Sequence, residues 1–363
     1  MYLDRRSSWP ARCWPTVRPD GGDAITVGVK VSLIMDPGTT QWRRDADPDW
    51  IEADRFTGEP GLTAPLLESD FTPAKPRCDL IVLGHAHPPA GTGREGWIAR
   101  LRCGPVDKSL RVFGPRTWKR SLFGWKISEP TAAVPVPLTY DHAFGGADAD
   151  HPDPAKRRLH AANPVGRGFH GDAPKPAVDG KPLSCLEDPL DPLQKPGHEH
   201  RAAALGVIGR TWLPRRALAG TYDATWQQQR APFLPADFDP HYHQSVAADQ
   251  QIPHPDGPVE VRLDHLSADG VWEFPLPVIN EVAEVFPYRG ASTAAPLAID
   301  TVVIEPDLRR ITLTARATLA LTIEIEAVER IIVGPVSNGW RRARHLGKRW
   351  SPYILMPAAE QDA

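Results

Sequence analysis

His85 and His87 are the residues of this chain whose type and spacing most directly suggest chemistry. Two apart in an extended segment, they point to one side. Paired imidazoles on one strand face are ligands that zinc sites use, with one or two further ligands from elsewhere. The sequence offers Asp79, His142, His198 and His200 as sources of a third ligand, and such a set would support a metal-dependent enzyme. The competing reading is that both rings bond neighbouring backbone and shape the loop at Pro88-Pro89. His198-Glu-His200 lacks the i, i+4 spacing of a zinc-protease helix and reads as exposed loop. Gly104-Pro-Val-Asp-Lys-Ser109 lacks the second glycine of a phosphate loop, and no helix follows it. No G-x-S-x-G elbow occurs, so that class of hydrolase has no anchor. Asp141-His142 could be half of a proton relay or a turn ahead of Phe144-Gly-Gly146; nothing identifies a nucleophile.

A second set is purely charged. Lys75, Asp79, Lys108, Arg111 and Arg116 surround the central apolar runs. Charges there must pair if buried. They therefore form either a recognition surface for a protein partner or an internal ion-pair network. Asn163 to Phe169 is punctuated by glycine and reads as a structural loop or a partner contact. Trp340-Arg-Arg-Ala-Arg-His-Leu-Gly-Lys-Arg-Trp350 is the dense basic run, with Arg341, Arg344 and Lys348 on one helix face. It reads as a solvated tail or as a grip on an acidic surface.

The elements that would position these groups are mostly strands. Lys75-Pro76 starts an extended segment, since proline disfavours helix in the residue before it. Leu80 to Leu83 is an unbroken apolar run that suits a strand buried on both faces. Trp97 to Cys103 alternates, with Arg100 and Arg102 on the wet side, and Leu110 and Val112 resume the alternation after a turn at Gly104 to Asp107. The spacing predicts a three-strand meander here. Ile25 to Leu33 alternates strictly, and Thr39 to Arg43 is its expected hairpin partner. Val134 to Pro137 is an extended edge or strap. Residues 147–193 are the loosest stretch, and loops of this length are usually functional or mobile. Helices are expected over Tyr222 to Arg230, stopped by Pro232, and in a short form over Val246 to Gln251. Strands return at Val259 to Leu263, Val271 to Leu276, Thr301 to Ile304, Arg310 to Arg316, Leu319 to Ile325 and Arg330 to Val333.

These elements predict a mainly β fold, with β-sandwich-like sheets in two lobes. An N-terminal β lobe (1–145), a Pro/Gly-rich middle with one or two short helices (146–258), a C-terminal β lobe (259–335) and a basic tail (336–363) are the expected divisions. The 363 residues give ample core, and 12 tryptophans argue for order. Forty prolines and 29 glycines imply many turns and few long helices. A net charge of −3 gives no global attraction to nucleic acid or an anionic membrane. No signal peptide and no apolar run near 18 residues is found, so a cytoplasmic protein is expected. The four scattered cysteines read as reduced, mostly buried thiols.

Several of these stretches occur together in a recognisable order. Lys75-Pro76 with Asp79, Gly84-His-Ala-His87, and Arg111-Val-Phe-Gly-Pro-Arg116 with Trp118 come first. Tyr140-Asp-His-Ala-Phe-Gly-Gly146, Asn163-Pro-Val-Gly-Arg-Gly-Phe169, Trp212-Leu-Pro-Arg-Arg216 and Ala248-Asp-Gln-Gln251 follow. This ordered set resembles the "domain of unknown function 2169" family, from about Ile25 to Arg316. The resemblance implies an adaptor or chaperone of bacterial type VI secretion that loads an effector onto the secretion spike. No catalytic centre, cofactor or metal is expected. The expected partners are an effector and a spike or spike-tip protein. Beside the charged residues above and His85 and His87, the resemblance marks Trp118, Asp141, Phe144, Asn163, Arg167, Trp212, Arg215 and Arg216 as candidates for partner contact.

Overall fold

The computed structural model describes residues 2–149, 151–348 and 350. Its largest unit is a seven-stranded sheet. In spatial order it runs Gln251–Ile252, Cys78–Val82, Ala298–Glu305, Arg310–Ala320, Asp23–Met35 and Ala11–Val17, with Trp42–Arg44 pairing the end of Asp23–Met35. All pairs are antiparallel except Cys78–Val82 with Ala298–Glu305, which is parallel. Period-two patterning explains the two faces. Ile25, Val27, Val29, Val31 and Leu33 are buried in the core, while Thr26, Lys30 and Ser32 point the other way.

A five-stranded antiparallel sheet packs on the apolar face. Its order is Leu186–Glu187, Val106–Val112, Trp97–Cys103, Glu260–Asp264, Val271–Pro275. Trp97, Ala99, Leu101, Leu110, Val112, Leu263 and Phe274 share one continuous core with the seven-stranded sheet, which makes the arrangement sandwich-like. Trp42 ties the layers together. Its ring meets Trp272 and Phe274 edge-on, at 6.1 and 5.2 Å, and its Nε1 donates to the Pro275 carbonyl at 2.9 Å. A four-stranded sheet, Tyr2–Arg5, Val328–Val333, Val282–Pro287 and Thr293–Pro296, extends the same core. A smaller cluster of Trp118, Phe144, Phe169, Val178, Leu183 and Leu193 sits beneath the hairpin Trp118–Ser121 and Gly124–Ile127.

The fold is mainly β, as the alternation predicts. Strands from 1–145 and from 259–335 pair with each other in all three larger sheets, and the middle supplies edge strands at 186–187 and 251–252. The expected three-strand meander does not form. Cys78–Val82 is buried on both sides and inserts between two strands of the seven-stranded sheet, whereas Trp97–Cys103 and Val106–Val112 belong to the five-stranded one. Pro88 and Pro89 cannot donate to a ladder, and the loop they start carries the chain across the sandwich. The expected strand over 319–325 is likewise the end of Arg310–Ala320, which stops at Ala320.

Three short α-helices occur among the described residues, and none is long and apolar enough to cross a membrane. Ala224–Gln229 lies within the predicted segment and is capped by Asp223, which accepts from the Trp226 amide at 2.8 Å. The segment over 246–251 forms one 3₁₀ turn, Ala248–Gln250. Asn338–His345 forms from the basic run; none of its residues is buried, but it is tied to the four-stranded sheet. Arg341 donates to both Glu284 oxygens at 2.5 and 2.6 Å, and Trp340 packs edge-on against Phe286 at 5.0 Å. Residues 349 and 351–363 of the expected tail lie outside the described residues.

Candidate functional site

The polar face of the seven-stranded sheet is not left to solvent. Residues 45–75 and the chain around Ser245 fold over it and leave a cleft of about 460 Å³. Lys30, projecting opposite Val29 and Val31, donates to Asp70 at 2.7 Å and to the Asp49 carbonyl at 2.8 Å. Arg316, opposite Ala315 and Ala317, donates to the Asp70 carbonyl at 3.1 Å and to Asp300. Asp300 also accepts the Lys75 amide at 3.1 Å. Lys75 Nζ lies 2.7 Å from Asp79 Oδ2, and both residues are buried. Asp79 further accepts from Gln244 Nε2 at 2.6 Å and from the Ser245 amide and hydroxyl at 2.7 and 2.8 Å.

Removing ions from water costs several kcal/mol apiece. The network offsets that cost by supplying each carboxylate with several donors. The same cations act on His243, whose pKa is pushed down to about 4 by burial and by Arg215, Lys75, Arg210 and Arg316. The cleft floor is therefore a set of paired charges that fixes the chain around 240–252 on Cys78–Val82. Each of these carboxylates already holds a charge-assisted partner, an arrangement suited to rigidity rather than to proton transfer.

The other predicted candidates divide by exposure. Arg215 is buried and forks onto Glu68 at 2.6 and 2.8 Å, while also donating to the Ile208 and Tyr242 carbonyls. Arg116 is buried, donates to Glu187 and the Ser184 carbonyl, and lies over the Phe113 ring at 3.6 Å. Lys108 is buried and reaches Asp249 at 2.8 Å; desolvation lowers its pKa. Trp118 and Phe144 fill the smaller core, and Trp118 Nε1 donates to the Gly168 carbonyl at 2.8 Å. Trp212 lies in the main core, edge-on to Tyr140 at 5.8 Å.

Asn163 is buried and donates to the Tyr140 and Phe144 carbonyls at 2.9 and 3.0 Å. This clamp makes Gly145 necessary, because a Cβ there would lie 2.2 Å from the Asn163 carbonyl oxygen. Asp141 accepts from Thr57, the Ala64 amide and Thr139, at 2.9, 2.9 and 3.1 Å, and so pins the 57–64 turn. Arg111, Arg167 and Arg216 are exposed.

His85 and His87 meet a residue the sequence reading did not nominate. His85 Nδ1 lies 2.8 Å and His87 Nε2 2.9 Å from the two oxygens of Asp307. None of the four expected sources of a third ligand belongs to this cluster. Asp79 is bonded to Lys75, His200 to Asp191 at 2.9 Å, and His198 meets the His200 ring edge-on at 4.5 Å. His142 is half-buried, its pKa pushed down to about 4 by burial, by the nearby Arg167 and, to a smaller degree, by His85. Asp307 follows Pro306 in what reads as a plain hairpin turn, so only the parallel pairing of two distant strands reveals its role. Lys30, Asp70, Asp300 and Arg316 were missed too. Lys30 and Arg316 occupy polar positions of alternating strands, and Asp300 lies in the strand paired with the latter, whereas Asp70 sits in a loop that no periodicity marks.

The family model described as "Uncharacterized protein conserved in bacteria (DUF2169)" matches residues 20–316. No curated protein and no solved structure matches the chain.

Proposed function

The chain belongs to the DUF2169 family, and from that premise we propose that it is a non-enzymatic adaptor or chaperone that binds a type VI secretion effector and assists its loading onto the spike. It acts in the cytoplasm, and its partners are the effector and a spike or spike-tip protein; nucleic acid and membrane have no part. The ordered motifs from Lys75 to Gln251 support the secretion role by resemblance. The geometry supports a binding rather than a catalytic part, because most of the charged motif residues are consumed in holding the fold.

One structural observation carries the binding role. The hairpin Trp118–Ser121 and Gly124–Ile127 ends in a two-residue tip, Leu122-Phe123, which is 94% and 100% exposed. Its stem places Lys119 directly across from Lys126, both exposed. Like charges opposite each other on a ladder destabilise it. An apolar pocket with an acidic rim on the effector would bury the tip and relieve the stem. The test is affinity purification of the tagged protein from cells that express the effector encoded beside it. Co-purification, with effector secretion reduced when this chain is deleted, is expected. No association together with unchanged effector levels and secretion overturns the reading.

A further inference from the structure

We propose that His85, His87 and Asp307 form a binding site for one divalent transition-metal ion of the Zn²⁺ class. The inference is independent of the adaptor role. Two imidazoles and a carboxylate present ligand atoms that all lie within 4.8 Å of one another. This donor set, two His and one carboxylate with open positions, is one that zinc and ferrous ions occupy.

The site is built on ordered backbone. Cys78–Val82 and Ala298–Glu305 run parallel, with Val82 opposite Ile304, and the Leu83 amide donates to the Ile304 carbonyl at 2.8 Å. The two chains therefore leave the sheet side by side, one into His85 and the other into Asp307. His85–Ala86 pairs with Val136–Pro137, and the His87 amide donates to the His265 carbonyl at 2.8 Å. Asp307 sits in a 3₁₀ turn closed by the Arg309 amide on the Pro306 carbonyl at 3.0 Å. Gly84 keeps the space open, since a Cβ there would lie 3.1 Å from Asp307 Oδ2 and 3.2 Å from Pro306 Cδ.

Charge and access agree. The nearest cationic side chain along the chain, Arg309, is turned onto Asp269 at 2.7 Å and the face of Trp272. Asp307 is thus left to the two histidines. The His85, His87 and Asp307 side chains are 45%, 20% and 32% exposed, which gives an ion a path in and leaves coordination positions for water. Tetrahedral bonds of about 2.1 Å would set neighbouring ligand atoms about 3.4 Å apart. Binding therefore asks the His–Asp contacts to open by roughly half an ångström, within reach of side-chain rotation. Neutral imidazoles and an ionised carboxylate would exchange their two hydrogen bonds for three metal bonds and release any proton they shared.

The test uses untagged, chelator-treated full-length protein, titrated with Zn²⁺ by calorimetry and with Co²⁺ by visible absorption. One ion per chain is expected, with tetrahedral or five-coordinate Co²⁺ bands. Asp307→Asn and His85→Ala should each weaken binding at least tenfold while leaving the circular dichroism unchanged. His241→Ala, which removes an exposed histidine bonded only to Asp239, should bind as wild type. Absence of stoichiometric binding, or binding retained in the double variant H85A/D307N, overturns the proposal.

Discussion

At the scale of single residues, the outcome turns on where charge is buried. Lys75 and Asp79 are both buried, and each has the other as its ionic partner. Removing one partner of such a pair leaves an uncompensated charge, at a cost of about 3–5 kcal/mol. Lys75→Met and Asp79→Asn should each lose stability on that order in denaturant unfolding, whereas Arg216→Ala, at an exposed position, should stay within about 0.5 kcal/mol. Titration supplies a second handle. His142 and His243 are both held down to about 4, against an ordinary value of 6.5. Above pH 6.5 both are neutral folded or unfolded, and their contribution is complete. As pH falls from 6.5 toward 4, the unfolded chain takes up protons that the folded chain resists, so stability declines. Thermal unfolding at pH 5 should begin at lower temperature than at pH 7, and His243→Asn should shrink the difference.

At the scale of elements, alternation was the legible signal. Ile25 to Leu33 becomes the core of Asp23–Met35, and Trp97 to Cys103 buries the expected face with Arg100 and Arg102 outside. What a period of two could not assign was sheet membership. Cys78–Val82 and Trp97–Cys103 look alike as neighbours in sequence, yet their ladders lie in different layers because hydrogen-bond partners are chosen over long range. The same limit hid Asp307 from His85 and His87. It also hid the intramolecular partner of the basic run, whose exposed helix is tied down by Glu284, a buried carboxylate on a strand. The hairpin at 118–127 carries its own prediction. L122S/F123S should lower effector co-purification at least tenfold and leave the melting temperature within a degree or two, because the tip makes no core contact that burial would register.

At the scale of the whole molecule, strands from both ends of the chain share every large sheet. A cut at residue 145 or at residue 258 divides all three larger sheets. Chains ending at residue 145 or 258 would lose Ala298–Glu305 and Arg310–Ala320, exposing both flanks of the seven-stranded sheet. Such fragments should be insoluble or lack native near-ultraviolet dichroism, and the full chain should unfold in one calorimetric transition with equal van't Hoff and calorimetric enthalpies. Two separated transitions would instead mark independent lobes.

The longest ladder, Asp23–Met35 against Arg310–Ala320, joins the first tenth of the chain to the last sixth. A ribosome makes the early partner many seconds before the late one, at roughly 5–20 residues per second. Throughout that interval a thirteen-residue strand with one face of isoleucine, valine and leucine waits with one edge bare. An edge left unpaired for that long is prone to aggregate, so the soluble yield in cells should fall when the chain is expressed without holding chaperones, as measured by the soluble fraction after lysis.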